Sequence, residues 1–163
     1  MSLFGDDRYR WRETYFVLFR ESHRPDAQAI TDALQELNGG YQVTEVHTDE
    51  NEEFEALTVI SPSDFCAMDI SYVDGEEVAE QVVELKQELK RSAVTKREQT
   101  QLQELSACNA RFDIFHFERV ALGNTGDEDE DECLDPGTLL LVLKRLAKLC
   151  HGIPVDPQSG ILM

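Results

Sequence analysis

The chain has 163 residues, enough for one domain with a sizeable core, and its hydrophobic content (41%) and charged content (29%) are ordinary for a globular protein. Its charge is unusual, because 33 acidic residues stand against 15 basic ones and the formal net charge is -18. Nucleic acids and anionic membranes carry dense negative charge, so this excess argues against both as partners and favours basic or neutral proteins or cations, although solubility alone would also account for it.

The first predicted elements are a strand, a helix and a hairpin. Thr14 to Phe19 are nearly all apolar, β-branched or aromatic, which predicts a central strand buried on both faces. Pro25 is suited to open a helix that ends at Asn38-Gly39-Gly40. Two further strands, Tyr41 to His47 and Phe54 to Ile60, flank a polar loop. The predicted buried face of the helix carries Ile30, Ala33, Leu34 and Leu37.

The middle of the chain predicts a strand and two helices. Cys66 to Tyr72 alternate apolar and polar residues, which is typical of a strand with one buried face. Asp74 and Glu77 have the spacing of a capping box at a helix start, and Thr95 and Glu98 repeat that spacing before a shorter helix. The first of these helices has a buried stripe formed by Val78, Val82, Leu85 and Leu89.

The last third begins with a strand at Ala110 to Val120, whose aromatic residues predict cover on both faces. An acidic loop, residues 121–134, follows. Asp135-Pro136 then caps a helix that runs to Cys150 and is apolar around most of its circumference, so the sheet and some further element should cover it. Two short strands, 152–155 and 161–163, complete the chain.

These elements predict an α+β domain spanning residues 1–163. A β-α-β-β order occurs twice, and the helix ends at Leu37-Asn38-Gly39-Gly40 and Leu149-Cys150-His151-Gly152 look alike. A duplication would explain this likeness, and so would chance, because helix ends favour glycine. In element order the first half resembles the ferredoxin-like α/β sandwich. This resemblance implies a mostly antiparallel sheet with helices on one face, and says little about function.

Two charged segments are candidate partner surfaces. The first is a run of six carboxylates, Asp127, Glu128, Asp129, Glu130, Asp131 and Glu132. A cation could bind there, but the run lacks the alternation and glycine of a calcium loop, so an extended, mobile, solvated loop is the favoured reading. The second is Arg8, Arg10 and Arg12, which alternate with Tyr9 and Trp11. Such an alternation can stack on nucleic-acid bases, but the acidic background favours an edge strand or a self-contact. These arginines could pair with the acidic run, within one chain or across a dimer.

No catalytic, cofactor or metal site is predicted. Cys150, His151, His116 and Cys133 could together bind zinc, but their spacing fits poorly. The sequence contains no nucleophile elbow and no phosphate-binding glycine loop. We therefore expect a protein that is not an enzyme and holds no cofactor.

Three hypotheses about function remain. The first is a non-catalytic interaction domain that binds a protein partner or a second copy of itself, as in a homodimer. The second is an acidic inhibitor or immunity-type protein that covers a basic partner. The third is a small-ligand sensor. The N-terminus has no segment of signal-peptide character, and the longest aliphatic run, Leu139 to Leu143, is too short to span a bilayer. The expected location is therefore the cytoplasm.

Overall fold

The computed structural model describes residues 8–37, 41–61, 66–90, 95–119, 137–156 and 161–162. They form an α+β structure on one antiparallel sheet with the strand order β2-β3-β4-β5-β1-β6-β7. The strands are β1 (Tyr9–Phe19), β2 (Gln42–Thr48), β3 (Phe54–Ser61), β4 (Cys66–Asp74), β5 (Ala110–Arg119), β6 (Ile153–Asp156) and β7 (Ile161–Leu162). The helices are α1 (Ala27–Gln35), α2 (Glu76–Lys90), α3 (Lys96–Ser106) and α4 (Gly137–Cys150).

The central position of β1 confirms the prediction for its apolar half. The strand pairs with β5 on one side and β6 on the other, and Val17, Leu18 and Phe19 are fully buried. The strand is longer than predicted, because it begins at Tyr9 and includes the arginine-rich segment. Arg10 and Arg12 lie in the first part of this strand, whereas Arg8 precedes it. In the described chain this first part pairs with β5 only, because β6 pairs with β1 at Phe16 to Leu18 alone.

Helices cover both faces of the sheet, so the prediction of helices on one face is wrong. Val17 and Phe19 pack with residues of α1 and α4, whereas Leu18 packs with residues of α2 and α3. Successive side chains of a strand point to opposite faces, so these are two separate layers. The physical reason is already present in β1, because a strand buried on both faces needs apolar cover on both.

The same cover changes the reading of β4. Residues 66–70 are buried without interruption, where alternation had predicted a single buried face. Met68 and Ile70 belong to the core beneath α1 and α4. Ala67 belongs to a small cluster with Phe117 on the other side of the sheet. The polar residue Asp69 is accommodated there because it accepts a hydrogen bond from the Thr58 hydroxyl at 2.7 Å.

The strand order agrees with the ferredoxin-like pattern in one unit only. β5 and β6 both run antiparallel to β1, lie on either side of it and are joined by α4, which makes a split β-α-β unit. The first half, which suggested the resemblance, differs: β1 and β2 are separated by three strands. The two β-α-β-β units also differ in order, since β2 lies outside β3 whereas β6 lies inside β7.

The two predicted capping boxes both lie among the described residues, and one of them forms. Thr95 caps α3 as predicted, because its hydroxyl accepts from the backbone N–H of Glu98 at 3.2 Å. The box at the start of α2 is wrong: Asp74 is the last residue of β4 and accepts a hydrogen bond from Tyr72. Gly75, with φ +98°, makes the turn from strand to helix instead. The carboxylate of Glu77 binds Arg111 on β5.

Helix α1 begins at Ala27, two residues after Pro25, and its cap residue is Asp26, whose carboxylate accepts from the N–H of Ala29 at 2.7 Å. Of its predicted face, Ile30, Ala33 and Leu34 are buried. The Asn38-Gly39-Gly40 end, the acidic loop 121–134 and the Asp135-Pro136 cap lie outside the described residues. Within the described chain, no helix combines the length and apolar character that crossing a membrane requires.

Helix α4 ends at Cys150, as predicted, but the left-handed residue is His151 (φ +52°) and not the glycine that follows. The N–H of Gly152 donates to the carbonyl of Ala147 at 2.7 Å, which closes the helix end. Glycine is needed at 152 for space, since a Cβ would lie 2.7 Å from Cγ1 of Val17 and 2.8 Å from the carbonyl oxygen of Leu18.

Candidate functional site

The predicted arginines meet a buried carboxylate inside the sheet. Arg10 lies opposite Glu118 on the neighbouring strand β5 and forms an ion pair with it. Arg12 approaches the same carboxylate, with 3.5 Å between its guanidinium nitrogen and Oε1. Arg8 places its guanidinium 6.0 Å from the ring of Tyr9. The acidic run Asp127 to Glu132 lies outside the described residues, so its pairing with these arginines stays a prediction.

A β-bulge brings these groups together. Trp11 pairs with Phe117 and Glu13 with His116, so Arg12 is an extra residue on β1. Bulges re-aim side chains next to the irregularity. Here Arg12 and the residue after it both reach partners on β5, namely Glu118 and His116. Arg12, Glu13 and Glu118 thus lie close enough to the imidazole of His116 to affect its charge.

His116 is almost completely buried, with 2% of its surface exposed. Its Nδ1 lies 3.2 Å from Oε1 of Glu13. Burial lowers the pKa of His116, and the adjacent Glu13 carboxylate opposes the shift only in part. In the neutral ring Nδ1 therefore carries the proton and donates a hydrogen bond to Glu13, while the buried lone pair of Nε2 has no hydrogen-bond partner among the described residues.

A carboxylate-oriented imidazole of this kind could act as a general base or as a metal ligand in an open site. Its burial argues against the first role, because a base must reach the proton that it removes. The sheet register places Met68 directly opposite His116, and Cys66 opposite Glu118, so soft sulfur-containing residues border the ring. Among the described residues, no group of three or more His, Cys, Asp or Glu could hold a metal.

The zinc candidates do not converge. His116 lies on β5 opposite Glu13, whereas Cys150 and His151 lie at the end of α4. The ring of His151 is 5.3 Å from that of His23. Burial raises the pKa of the Cys150 thiol to about 12. Such a thiol is protonated at neutral pH and is neither a ready ligand nor a nucleophile. Cys133 lies outside the described part of the chain.

A buried cation, Arg111, joins α2 to the sheet. Arg111 contacts Asp113 at 2.6 Å, Gln81 at 2.7 Å and Glu77 at 3.0 Å, and it stacks over the ring of Phe16. Burial raises the pKa of Asp113, and the guanidinium of Arg111 opposes this shift. The donors of Arg111 are directed at partners within its own chain, so its role is structural.

Another largely buried cation, Arg24, holds the β2–β3 hairpin. Arg24 stacks on the ring of Tyr72 at 3.7 Å, donates to the carbonyl of Phe54 and pairs with Glu53 at 2.7 Å and Asp49 at 3.3 Å. Beside it is an open cleft of about 520 Å³. The residues lining this cleft are Arg20, Glu21, Ser22, Arg24, Glu53, Ala107 and Asn109. The side chain of Arg20 is exposed and forms no hydrogen bond or ion pair with any residue that the structure describes.

The outer surface of α2 is strongly acidic. Glutamates recur at every fourth position, and all four are exposed: Glu76, Glu80, Glu84 and Glu88. The side chain of none of them forms a hydrogen bond or ion pair with another described residue. Val83 lies between them and, at 54% exposed, is the most exposed large apolar side chain on this surface. We call Glu76, Glu80, Val83, Glu84 and Glu88 the α2 face.

The outer surface of α4 has the opposite charge. Most of this apolar helix is buried, and the further element that covers it is α1, to which Arg145 is joined by an ion pair with Glu36 at 2.5 Å. Only Leu141, Lys144 and Lys148 are exposed among its residues from 139 onwards. Leu141 is 49% exposed. We call these three residues the α4 ridge.

Sequence reasoning missed the Glu13–His116 pair and the buried Arg111. Nothing local signals them, because each depends on which strands are neighbours. The α2 face was detectable, since four glutamates at intervals of four residues are visible in the sequence. Comparisons with protein-family models, with curated proteins and with solved structures found no match to this chain.

Proposed function

We propose that the protein is a non-catalytic interaction domain that presents the α2 face to a basic surface of a partner protein. The observation that carries the proposal is the uncompensated row of glutamates around an exposed valine. An inhibitor-type protein that covers a basic active site is one form of this function. The net charge of -18 would accelerate encounter with a basic partner.

The arrangement of charges on α2 is unfavourable for the isolated helix. Like charges four residues apart destabilise a helix by about 0.2–0.5 kcal/mol per pair, and the row contains three such pairs. The two lysines of this helix, Lys86 and Lys90, do not offset the repulsion. They are four residues from each other, and neither is three or four residues from a glutamate of the row. A basic partner would relieve this repulsion, and Val83 would add apolar contact at the centre of the interface.

The buried polar groups support a non-catalytic function. His116 has a carboxylate on one ring nitrogen but only 2% exposure, so a substrate could not reach it without opening of the sheet. Burial raises the pKa of Cys108 to about 11, and this thiol too is a poor nucleophile at neutral pH.

The test is capture from the native lysate with the wild-type chain and the double variant E80K/E84K. We expect the wild type to retain a basic protein at about 50 mM salt and to release it at about 500 mM, because exposed charge pairs are screened. The variant should not retain it. The matched control is E50K/E55K, which makes the same change of charge at exposed positions on the β2–β3 hairpin.

Equal capture by both double variants would contradict the proposal, because binding would then follow net charge and not the α2 face. Circular dichroism of each variant checks that the fold is retained. Retention by the wild type that does not weaken with salt would also count against it.

A second candidate function is a sensor for a small anionic ligand, favoured by the open cleft beside Arg20. An exposed guanidinium without a described side-chain partner could bind a carboxylate or phosphate. A ligand at about 100 times its dissociation constant would stabilise the fold by about 2.7 kcal/mol. Thermal shift against organic acids and nucleotides, with R20M and the control R97M, tests this. A ligand-induced thermal shift that is equal in the wild type, R20M and R97M would exclude the cleft as the binding site.

A further inference from the structure

The α4 ridge is a basic surface on a strongly acidic molecule. Lys144 and Lys148 form no ion pair with any residue that the structure describes, whereas the neighbouring Arg145 is occupied by Glu36. Leu141 extends the same ridge and leaves about half of its surface in water. An exposed leucine beside two unpaired lysines is suited to a partner that offers an apolar residue beside two carboxylates.

The α2 face offers that pattern at matching spacing. On α4, the lysines follow Leu141 by three and seven residues. On α2, Glu80 and Glu76 precede Val83 by three and seven residues. Residues at such spacing lie along one side of a helix. If two helices cross antiparallel with Leu141 against Val83, the charged residues fall opposite each other as Lys144 with Glu80 and Lys148 with Glu76.

We infer that the α4 ridge binds the α2 face of a second copy of this chain. The inference rests on the proposed interaction function and names a partner for it. Within one molecule the two surfaces cannot meet, because α4 and α2 cover opposite faces of the sheet. The contact therefore joins different surfaces of two copies, so one copy keeps a free α2 face and the other keeps a free α4 ridge.

Such a contact is heterologous and continues from copy to copy. It produces a closed ring if the rotation between copies closes, and an open chain if it does not. A simple two-fold dimer does not use this contact, since it requires the same patch on both sides. Oligomers larger than a dimer are thus the expected product at high protein concentration.

Net charge opposes the assembly, so ionic strength must be chosen with care. Copies with a formal charge of -18 repel one another over long distances. At about 150 mM salt the screening length is about 8 Å, which weakens this repulsion more than the attraction between groups in contact. We expect association to be strongest near this ionic strength and to weaken both at about 20 mM and at about 1 M salt.

The experiment is sedimentation velocity on the purified full chain, with two charge-reversal variants. In K144E/K148E both surfaces are acidic, and in E76K/E80K both are basic at the contact positions, so each variant alone should remain at the monomer mass of 18.6 kDa. When the two variants are mixed in equal amounts, each acidic α4 ridge meets a basic α2 face, and each wild-type α4 ridge meets a wild-type α2 face. The mixture should therefore assemble like the wild type.

The control variants are K96E/R97E and E50K/E55K, which change the same number of charges at exposed positions of α3 and of the β2–β3 hairpin. Both should assemble like the wild type. Wild-type protein that stays monomeric at about 150 mM salt up to millimolar concentration would overturn the inference. So would assembly of either reversal variant alone, or a mixture that remains monomeric.

Failure of this inference is distinguishable from failure of the proposed function. If the purified chain is monomeric but capture of a basic protein from lysate depends on the α2 face, the function stands and the partner is a different protein. If self-association is seen and no basic protein is captured, the domain acts through assembly with itself. If neither occurs, both are wrong.

Discussion

His116 is held in a nearly dry environment by strands β1, β4 and β5, with Glu13 on Nδ1 and nothing described on Nε2. Buried polar atoms are nearly always satisfied, so an unsatisfied nitrogen marks a place where the fold gives up stability. The arrangement exists because β1 bulges at Arg12, which turns Glu13 towards β5. The residue is thus best understood as a buried titratable group and not as an open reactive site.

The first prediction concerns the pH dependence of stability. The pKa of His116 is lowered from 6.5 in the folded protein, so the unfolded chain takes up a proton that the folded protein does not. The resulting stability is complete above pH 6.5 and is lost as pH falls below it, by up to about 1.4 kcal/mol per pH unit. The measurement is urea unfolding of the wild type and of H116Q between pH 7.5 and 5.5. As pH falls, the wild type should lose unfolding free energy relative to H116Q.

The control for this prediction is H47Q, because His47 is exposed on the edge strand β2. It measures what the replacement of an exposed histidine by glutamine does to stability over the same pH range. A pH-independent difference between wild type and H116Q would show that the imidazole is not titrating differently in the two states.

Arg111 supports a second prediction, because its partner Asp113 is nearly as buried as the arginine itself. Removing one member of a buried pair leaves an uncompensated charge, and R111M should lose about 3–5 kcal/mol of unfolding free energy. The double variant R111M/D113L removes both charges and should be more stable than R111M. The measurement is a double-mutant cycle, in which chemical unfolding gives the unfolding free energies of the wild type, D113L, R111M and the double variant. A double variant that is less stable than R111M would contradict the argument.

The junction between α4 and β6 depends on the small size of residue 152. In G152A the new methyl group would overlap Val17 and the carbonyl of Leu18, so we expect a loss of about 1–3 kcal/mol. G75A provides the comparison, because a Cβ there has open space and only the left-handed backbone is strained, at about 1–2 kcal/mol. In urea unfolding, G152V should be much worse than G152A. Similar costs for G152A and G152V would contradict a steric origin.

The two helical layers have different surfaces. The layer of α1 and α4 exposes lysines, and the layer of α2 and α3 exposes the row of glutamates on α2. Because α2 and α4 lie on opposite sides of the sheet, the exposed glutamates of α2 and the exposed lysines of α4 face in opposite directions. This separation of charge follows from which helix covers which face.

Net charge supports a prediction for the whole molecule. A formal charge of -18 destabilises the compact state through self-repulsion, and salt screens that repulsion. Raising NaCl from about 20 to about 200 mM should increase Tm, by roughly 2–4 °C for each ~1 kcal/mol of repulsion removed. The measurement is calorimetry at a low protein concentration at which no assembly occurs. E50K/E55K, which is four charges less negative, should respond less to salt, and an equal or opposite response would contradict this explanation.

Much of the local structure follows from the order of residues in the chain. Apolar runs and alternation located the strands through β6, the spacing of Ile30, Ala33 and Leu34 located a helix face, and Thr95 marked a helix start. These signals act over a few residues, so they can be recognised without knowing the fold. The expectation of an α+β structure with an antiparallel sheet was confirmed for the same reason.

The sharing of helices between both faces, the order of the strands and the buried charges required the folded structure. Glu13 and His116 are 103 residues apart in the chain and meet only because β1 and β5 are neighbours with a bulge between them. Likewise, Arg111 finds Glu77 because α2 packs on that face. Long-range pairing of this kind depends on how apolar surfaces cover one another across the whole chain, and no local pattern of residues specifies it.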